Sequence, residues 1–264
     1  GCKTLFHTAA YYSLWTRDKN LIYDINVQGT RNILESALEA GIEKVVYTST
    51  VGCIGLSESG SPANEDQPMN PAFLCNDYKL SKYQAEQVAL ELFGRGLPVV
   101  IVNPSTPVGP RDIKPTPTGQ IILDFMNHKM PAYIDTGLNL IDVFDCARGH
   151  ILAEAKGQPG ERYILGNKNM SLKEILLTLE VLTGIKAPRI KMPYLIAYIS
   201  GLACEWVSDS ITHQPPAVPL AGVKMAKYFM YFDSSKAVRE LGLPQNSVKN
   251  ALGKAVSWFR ENSI

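Results

Sequence analysis

The sequence has no long hydrophobic run, and its charges almost cancel. It holds 26 Lys or Arg against 25 Asp or Glu in 264 residues, which gives a net charge of +1. This balance gives no indication of a nucleic-acid partner or of electrostatic attachment to a membrane. The most apolar stretch, residues 194–204, is shorter than the ~18 to 20 residues that a membrane span needs, so it predicts a buried helix instead.

Cysteine is scarce, and no Cys-x-x-Cys pair occurs among the five. The odd count and wide spacing predict neither a disulfide framework nor a zinc site, and we expect no bound metal. With no signal-peptide pattern at the start, this composition favours a cytoplasmic protein. His128, His150 and His213 lack ligand-like spacing, so surface or core roles are expected, and Trp206 and Trp258 are expected in the core.

Continuous apolar strands alternate with helices in the N-terminal part. Residues 4–10, 44–50 and 97–103 are predicted strands, and residues 24–40 and 77–95 are predicted helices that end before Gly41 and Gly96. Strands that are apolar throughout are typical of a parallel sheet covered on both faces. Right-handed crossovers then give an α/β fold with a Rossmann-like layout.

After residue 103 the pattern changes. Prolines crowd residues 104–119, which predicts a long loop. Further on we predict a helix over 145–155, a strand over 162–165 and a helix that begins at a capping box of Ser171 and Glu174 and stops at Gly184. Helices are also predicted over 193–208, 217–226, 234–241 and 248–262.

Tyr78 and Lys82 form a Tyr-x-x-x-Lys motif on the predicted helix 77–95. Residues four apart lie on one helical face, and a neighbouring ammonium favours the phenolate form of a tyrosine. Such a pair can move a proton to or from a substrate hydroxyl. The motif alone is weak, because Tyr and Lys four residues apart also occur on solvated helix faces.

The ends of the predicted strands strengthen this interpretation. One strand ends in Thr48-Ser49-Thr50, another in Asn103-Pro104-Ser105 and the first in His7-Thr8-Ala9-Ala10. The carboxyl ends of parallel strands form the crevice where open α/β sheets bind ligands. Small side chains there would let a flat cofactor approach, although each segment alone also suits an ordinary turn.

Together these segments resemble the extended short-chain dehydrogenases, the NAD-dependent epimerase/dehydratase family. Asn26-Val27-Gln28-Gly29-Thr30 and the late Asp233-Ser234-Ser235-Lys236-Ala237 add to the match. Segments 103–110, 114–119 and 133–140 are similar to hopanoid-associated sugar epimerases and dihydroflavonol reductase-like proteins.

The resemblance implies a role for each matching position. Tyr78 would be the acid/base, Lys82 its partner and ribose anchor, and Thr50 the hydroxyl on the reacting oxygen, which is more often a serine in the family. NAD or NADP would contact the positions that share a place at the cofactor cleft: Thr8, Ala9, Ala10, Asn26, Thr48, Ser49, Pro104 and Ser105. Thr50, Thr106 and Lys114 would face a small-molecule substrate, and Asn26 would chiefly brace the backbone.

The resemblance also implies a division into two domains and the possible formation of a homodimer. We expect a partial NAD(P)-binding Rossmann domain over 1–112, with a return segment over 140–156. Residues 113–139 and 157–264 would form a smaller substrate-binding subdomain. The helices 24–40 and 78–95 would offer faces for a homodimer.

One element of the family is not found in these residues. No Gly-rich phosphate-binding turn follows a first strand; Gly52–Gly55 and Gly94–Gly96 are the nearest runs, and both are placed elsewhere. The sequence therefore predicts a Rossmann sheet without its first βαβ segment, in an N-terminally truncated chain. Tight binding of NAD(P) by this chain alone would contradict that expectation.

The functional expectation is an NAD(P)-dependent oxidoreductase or epimerase that acts on a secondary alcohol or ketone, of nucleotide-sugar type or similar. A dihydroflavonol- or steroid-type ketone reductase is the alternative from the same residues. A regulatory protein that binds cofactor without chemistry is a further alternative, as is an inert fragment. Proteins of the regulatory class lose the Tyr or Lys, and this chain keeps both.

Overall fold

The structure is a computed structural model that describes residues 1–57 and 61–262. Its strands are β1 (Thr4–His7), β2 (Lys44–Thr48), β3 (Val99–Pro104), β4 (Thr106–Val108), β5 (Tyr133–Ile134), β6 (Gly137–Asp142), β7 (Arg162–Leu165), β8 (Lys168–Ser171), β9 (Lys191–Met192) and β10 (Phe229–Met230). Its α-helices are α1 (Lys19–Tyr23), α2 (Gly29–Glu39), α3 (Asp77–Gly94), α4 (Pro117–Met126), α5 (Val143–Lys156), α6 (Leu172–Thr183), α7 (Tyr194–Val207), α8 (Leu220–Met225), α9 (Ser235–Leu241) and α10 (Val248–Glu261).

The main sheet is four-stranded and parallel, in the order β1-β2-β3-β7. Alternate residues of β2 and β3 face opposite layers, as the pleat of a strand requires. Val45 and Ile101 pack against α2 and α3, whereas Val46 and Val100 pack against α5 and α9. The sheet is thus covered on both faces, and the predicted Rossmann-like α/β fold is confirmed.

Strand β1 is an edge of this sheet. It pairs only with β2 in the described part of the chain, and the ring of Phe6 is 43% exposed. Regular pairing stops at His7, so residues 8–10 continue as irregular backbone instead of the predicted strand. The chain therefore leaves β1 after His7, at the carboxyl edge of the sheet.

A second sheet was not predicted. Strands β10, β6 and β4 are parallel, and β8 joins β6 in antiparallel fashion. These short strands lie within the proline-rich segment and the C-terminal half, where two to six residues give little periodicity to detect. The sheet packs with α4, α6 and α10 around a separate core that includes Phe125, Leu179 and Phe259.

The prediction that residues 194–204 form a buried helix is half wrong. Helix α7 is present, but Leu195, Ile199 and Trp206 on it are 66%, 57% and 63% exposed. The side that packs carries Ala197 and Gly201, and a Cβ on Gly201 would lie 3.3 Å from Leu220 Cδ1 on α8. Small residues bring the two helices close, so the large apolar side chains, Trp206 among them, point away from the core.

In the described residues, no helix combines the length and the hydropathy needed to cross a membrane. On α2 and α3, Ile33 and Phe93 are exposed. The homodimer and the two-domain division stay predictions.

The capping box of α6 gives a test of the fold. The Ser171 hydroxyl accepts from the Glu174 amide at 3.2 Å, and Glu174 Oε2 accepts from the Ser171 amide at 2.7 Å. We expect Ser171→Ala to lower the free energy of unfolding by about 1 kcal/mol, because the helix then loses its N-cap acceptor. Urea denaturation measures it. Ser171→Thr keeps the hydroxyl and should lose much less; an equal loss in both variants would contradict the capping role.

Candidate active site

Helix α3 places the Tyr-x-x-x-Lys motif in its first two turns. Asn76 caps the helix, its Oδ1 accepting from the Lys79 amide at 2.8 Å. The helix begins at Asp77, and Tyr78 and Lys82 therefore lie one turn apart on the face turned toward the sheet. Lys82 is 2% exposed.

The Lys82 ammonium is held at the end of β2. It donates to the Thr48 carbonyl at 2.8 Å and to the Tyr47 hydroxyl at 3.2 Å, and it lies 4.9 Å from the centre of the Tyr47 ring. An ammonium has three donors. One of them therefore has no acceptor in the described residues and is available to a ligand.

Thr50 and Tyr78 are close to each other at the same edge. Thr50 Oγ1 accepts from the Gly52 amide at 3.1 Å, which leaves the hydroxyl hydrogen free to point elsewhere. The Thr50 side chain lies near enough to the Tyr78 hydroxyl to act against a rise in the pKa of Tyr78. The Tyr12 ring packs on the Tyr78 ring, with centroids 4.4 Å apart.

The expected fall in the pKa of Tyr78 is not observed. Burial raises the pKa of Tyr78 above its usual range, Tyr12 and Cys53 add to that rise, and the Thr50 hydrogen bond opposes it. Burial also lowers the pKa of Lys82. Desolvation penalises both charged forms, and here it outweighs the attraction between ammonium and phenolate that the motif suggests.

A cavity of about 650 Å³ opens at this edge. Most of the predicted site residues line it: Thr8, Ala10, Thr48, Ser49, Thr50, Tyr78, Lys82, Pro104, Ser105 and Thr106. The carboxyl ends of β1, β2 and β3 thus meet at one site, as the topology of a parallel sheet requires.

Three of the residues predicted to contact cofactor or substrate do not line the cavity. Ala9 is not in the cavity lining although Thr8 and Ala10 are. Lys114 is exposed and outside the lining. Asn26 is buried behind the site, where its Nδ2 donates to the Tyr11 carbonyl at 3.0 Å and its Oδ1 accepts from the Tyr11 amide at 2.7 Å. It braces the backbone and does not line the cavity.

A buried carboxylate on α3 escaped the sequence analysis. Glu86 is 0% exposed and accepts from the Ser49 hydroxyl, from Asn103 Nδ2 at 2.9 Å and from Arg162 at 3.4 Å. The same Asn103 Nδ2 donates to the Thr50 carbonyl at 3.0 Å. Glu86 therefore fixes the strand ends that carry Ser49 and Thr50. The sequence signal that could have identified Glu86 is its position one turn after Lys82 on the same helix face.

His150 on α5 is also part of the site's support. Its Nδ1 contacts the Cys146 carbonyl at 2.8 Å, and its Nε2 contacts the Thr48 hydroxyl at 3.0 Å. The carbonyl requires an N–H at Nδ1, so Nε2 accepts from Thr48. Burial lowers the pKa of His150, which agrees with a neutral ring. No sequence spacing relates residues 48 and 150.

The sequence also matches a known protein family. The family model described as the NAD dependent epimerase/dehydratase family matches residues 1–166. The chain belongs to this family, so the resemblance read from the motifs is confirmed.

Individual proteins with similar sequences or structures agree with this family assignment. A putative dihydroflavonol 4-reductase from Synechocystis sp. is 51% identical over 99% of this chain and 77% of its own. Sterol demethylase protein B from Methylococcus capsulatus is 34% identical over 100% and 80%. The crystal structure of a nucleoside-diphosphate-sugar epimerase from Pseudomonas aeruginosa is similar with a TM-score of 0.74 and 27% identity, over 90% of this chain and 74% of that one.

The residues present fit the family's cofactor, NAD. Ser105 Oγ is buried in the cavity wall with no hydrogen-bond partner among the described residues. Such a group needs a polar partner, since leaving it unpaired is costly. The nicotinamide carboxamide offers both a donor and an acceptor. The small side chains of Thr8, Ala10 and Thr48 leave room for a flat ring beside it.

The buried Glu86 predicts a specific pH dependence of stability. Burial raises the pKa of Glu86 above its unfolded value of 4.5, despite the opposing bonds from Ser49 and Asn103 and the Arg162 charge. A raised pKa means that the folded state favours the protonated acid, so this stability is complete at low pH and is lost as the pH rises through the folded pKa.

Glu86→Gln removes this titration. We expect the stability of the wild type to fall relative to Glu86→Gln as the pH increases from about 4.5 upward. Denaturation of both proteins at a series of pH values measures the difference. Glu39→Gln, at an exposed position at the end of α2, is the control. A difference between wild type and Glu86→Gln that does not change with pH would contradict the prediction.

Proposed function

We propose that this protein interconverts a secondary alcohol and a ketone with a nicotinamide cofactor, and that Tyr78, Lys82 and Thr50 carry the proton chemistry. The observation that supports this most is their convergence: a half-buried phenol, a buried ammonium and a threonine hydroxyl line the same cavity. Bound NAD(H) supplies the hydride exchange. The protein's own groups position the substrate oxygen and manage its proton.

Tyr78 is the proposed acid/base. Because burial raises its pKa, Tyr78 is a neutral phenol near neutral pH, the form that donates a proton to the oxygen of a ketone under reduction. The Thr50 hydroxyl is placed to donate a second hydrogen bond to the same oxygen. Two donors aimed at the oxygen stabilise the negative charge that develops as hydride arrives at carbon.

Lys82 is proposed to hold the cofactor ribose and to stabilise the phenolate. Two of its donors are fixed on Thr48 and Tyr47, so the ammonium cannot swing away when the third meets a ligand. Glu86 and His150 position the strand ends and do not touch the substrate. This separates the groups that react from those that support them.

The walls of the cavity favour an apolar ring ketone over a nucleotide sugar. Apart from the strand-end residues, much of the lining is aliphatic or aromatic: Pro107, Val108, Ile121, Ile122, Ile134, Leu138, Leu172, Met225, Met230 and Phe259. Most of these belong to the proposed substrate-binding subdomain. The names of the dihydroflavonol reductase and sterol demethylase relatives agree with this class. Nucleotide-sugar epimerisation is the second candidate, favoured by the Pseudomonas structure and by Arg111 at the cavity.

Tyr78→Phe tests the acid/base. We expect kcat to fall roughly 100- to 10,000-fold, since the phenol hydroxyl is the proton donor. Initial rates of NAD(P)H oxidation with a panel of ring ketones measure it. Tyr83→Phe, on the same helix, is the matched control and should keep its activity. Retained turnover in Tyr78→Phe would refute the proposed role.

Thr50→Val tests the second donor. Valine keeps the shape of threonine and lacks the hydroxyl, so we expect kcat to fall by roughly 100-fold or more. Thr50→Ser restores the donor and should recover most of the rate. If valine and serine give the same kcat, Thr50 does not contact the reacting oxygen.

A further inference from the structure

Four polar side chains extend from the candidate site into the packing between the sheet and α2: Lys82, Tyr47, Thr30 and His7. The Lys82 ammonium donates to the Tyr47 hydroxyl at 3.2 Å, and Thr30 Oγ1 hydrogen-bonds His7 Nε2 at 3.0 Å. Burial raises the pKa of Tyr47, and the Thr30 side chain lies near enough to the Tyr47 hydroxyl to act against that rise. All four residues are at most 7% exposed, so they depend on one another for hydrogen bonds.

The Tyr47 hydroxyl sets the direction of these hydrogen bonds. An ammonium can only donate, so the hydroxyl is the acceptor toward Lys82. The single hydrogen of the hydroxyl therefore points elsewhere. Within the described residues, Thr30 is the side chain placed to receive it.

Thr30 passes this direction on to His7. When Thr30 accepts the Tyr47 hydrogen, its own hydroxyl hydrogen goes to His7 Nε2, which must then be the ring nitrogen without a hydrogen. In the opposite arrangement, Nε2–H donates to Thr30, and the Thr30 hydrogen turns toward Tyr47. The Tyr47 hydrogen is then buried without an acceptor, which is costly. A neutral His7 with its hydrogen on Nδ1 is the form that leaves no hydroxyl hydrogen unpaired.

The groups that face the His7 ring agree with a neutral imidazole. The Tyr47 ring on β2 has its centre 5.6 Å from that of His7, α2 contributes the uncharged Thr30, and α3 contributes the Lys82 ammonium. Burial and then the Lys82 charge lower the pKa of His7. A protonated His7 would donate from both ring nitrogens, reverse its bond to Thr30 and add a second positive charge near Lys82. Tyr47 would then no longer be kept as an acceptor for Lys82.

We propose that His7 is a positioning residue for Lys82: as a neutral ring with its hydrogen on Nδ1, it ends a one-way series of hydrogen bonds from Lys82 through Tyr47 and Thr30. The consequence for catalysis rests on the proposed function, because Lys82 is the proposed cofactor anchor. His7 acts on the cofactor only through Lys82 and does not react.

Imidazole ¹⁵N NMR of the uniformly labelled protein tests the direction of the hydrogen bonds without turnover. The sequence has four histidines, and His7→Gln identifies the signals of residue 7. We expect His7 to be neutral at pH 7, with its hydrogen on Nδ1, and to titrate below the usual value of 6.5. A hydrogen found on Nε2, or a charged ring at pH 7, would overturn the inference.

Thr30→Val interrupts the series and keeps the side-chain shape. Without the Thr30 donor, the two neutral forms of the His7 ring should mix. The KM for NAD(P)H should rise roughly tenfold with a smaller change in kcat, because Lys82 loses a bond to an oriented acceptor. Thr30→Ser keeps the hydroxyl and should restore both properties. A His7 ring in Thr30→Val that keeps the wild-type form, or an unchanged KM, would contradict the proposed role.

The pH dependence of kcat/KM for NAD(P)H connects His7 with catalysis. The wild type should lose efficiency at acid pH with the pKa that NMR gives for His7. His7→Gln should lack this loss, since its amide oxygen can accept from Thr30 and does not titrate. His150 is a second imidazole with a lowered pKa at this sheet edge, so an acid limb that persists in His7→Gln would overturn the inference.

The two proposals fail in different ways. A His7 hydrogen on Nδ1 together with no oxidation of NAD(P)H would support the hydrogen-bond direction and refute the proposed function. An active enzyme with the hydrogen on Nε2 would refute the His7 inference alone.

Discussion

The contact between the Lys82 ammonium and the Thr48 carbonyl is the interaction on which the site depends. It fixes the second turn of α3 to the last residue of β2 at 2.8 Å. Tyr78, one turn earlier, is thereby brought to the edge where the chain continues to Thr50. Since Lys82 is buried and Thr48 is half-buried, the geometry is set by packing and not by solvent-exposed pairing, which is weak.

Behind this contact, a buried network keeps the strand ends in place. Glu86 accepts hydrogen bonds from Ser49, Asn103 and Arg162. Asn103 also donates to the Thr50 carbonyl. An ionised carboxylate with no access to water is costly unless its partners are complete. The network therefore costs stability at neutral pH, and this cost accompanies a fixed position of the Thr50 hydroxyl. The protein thus loses some folding stability at the position where the orientation of Thr50 matters.

Hydrophobic periodicity and the residues that typically begin and end helices were enough to predict the central sheet and its flanking helices. Apolar β2 and β3, the glycines that end α2 and α3, and the Ser171 capping box all depend on neighbours in the chain. The motif pair Tyr78 and Lys82 was predictable for the same reason. Glu86 and His150 were not, because their roles come from burial and from partners distant in sequence. The outward face of α7 was missed because apolar composition does not say which side packs.

The pKa of Tyr78 shows why motif and environment must be weighed together. The spacing of Tyr78 and Lys82 predicts a phenolate favoured by a nearby ammonium, but burial disfavours both charged groups and dominates here. A protonated phenol suits ketone reduction, and the reverse oxidation requires the phenolate. With Lys82 held by Thr48 and Tyr47, a positive charge entering the same cavity would lower the pKa of Tyr78. In the proposed reaction an oxidised nicotinamide ring would bring such a charge and the reduced ring would not, so the site would favour the base in one direction and the acid in the other.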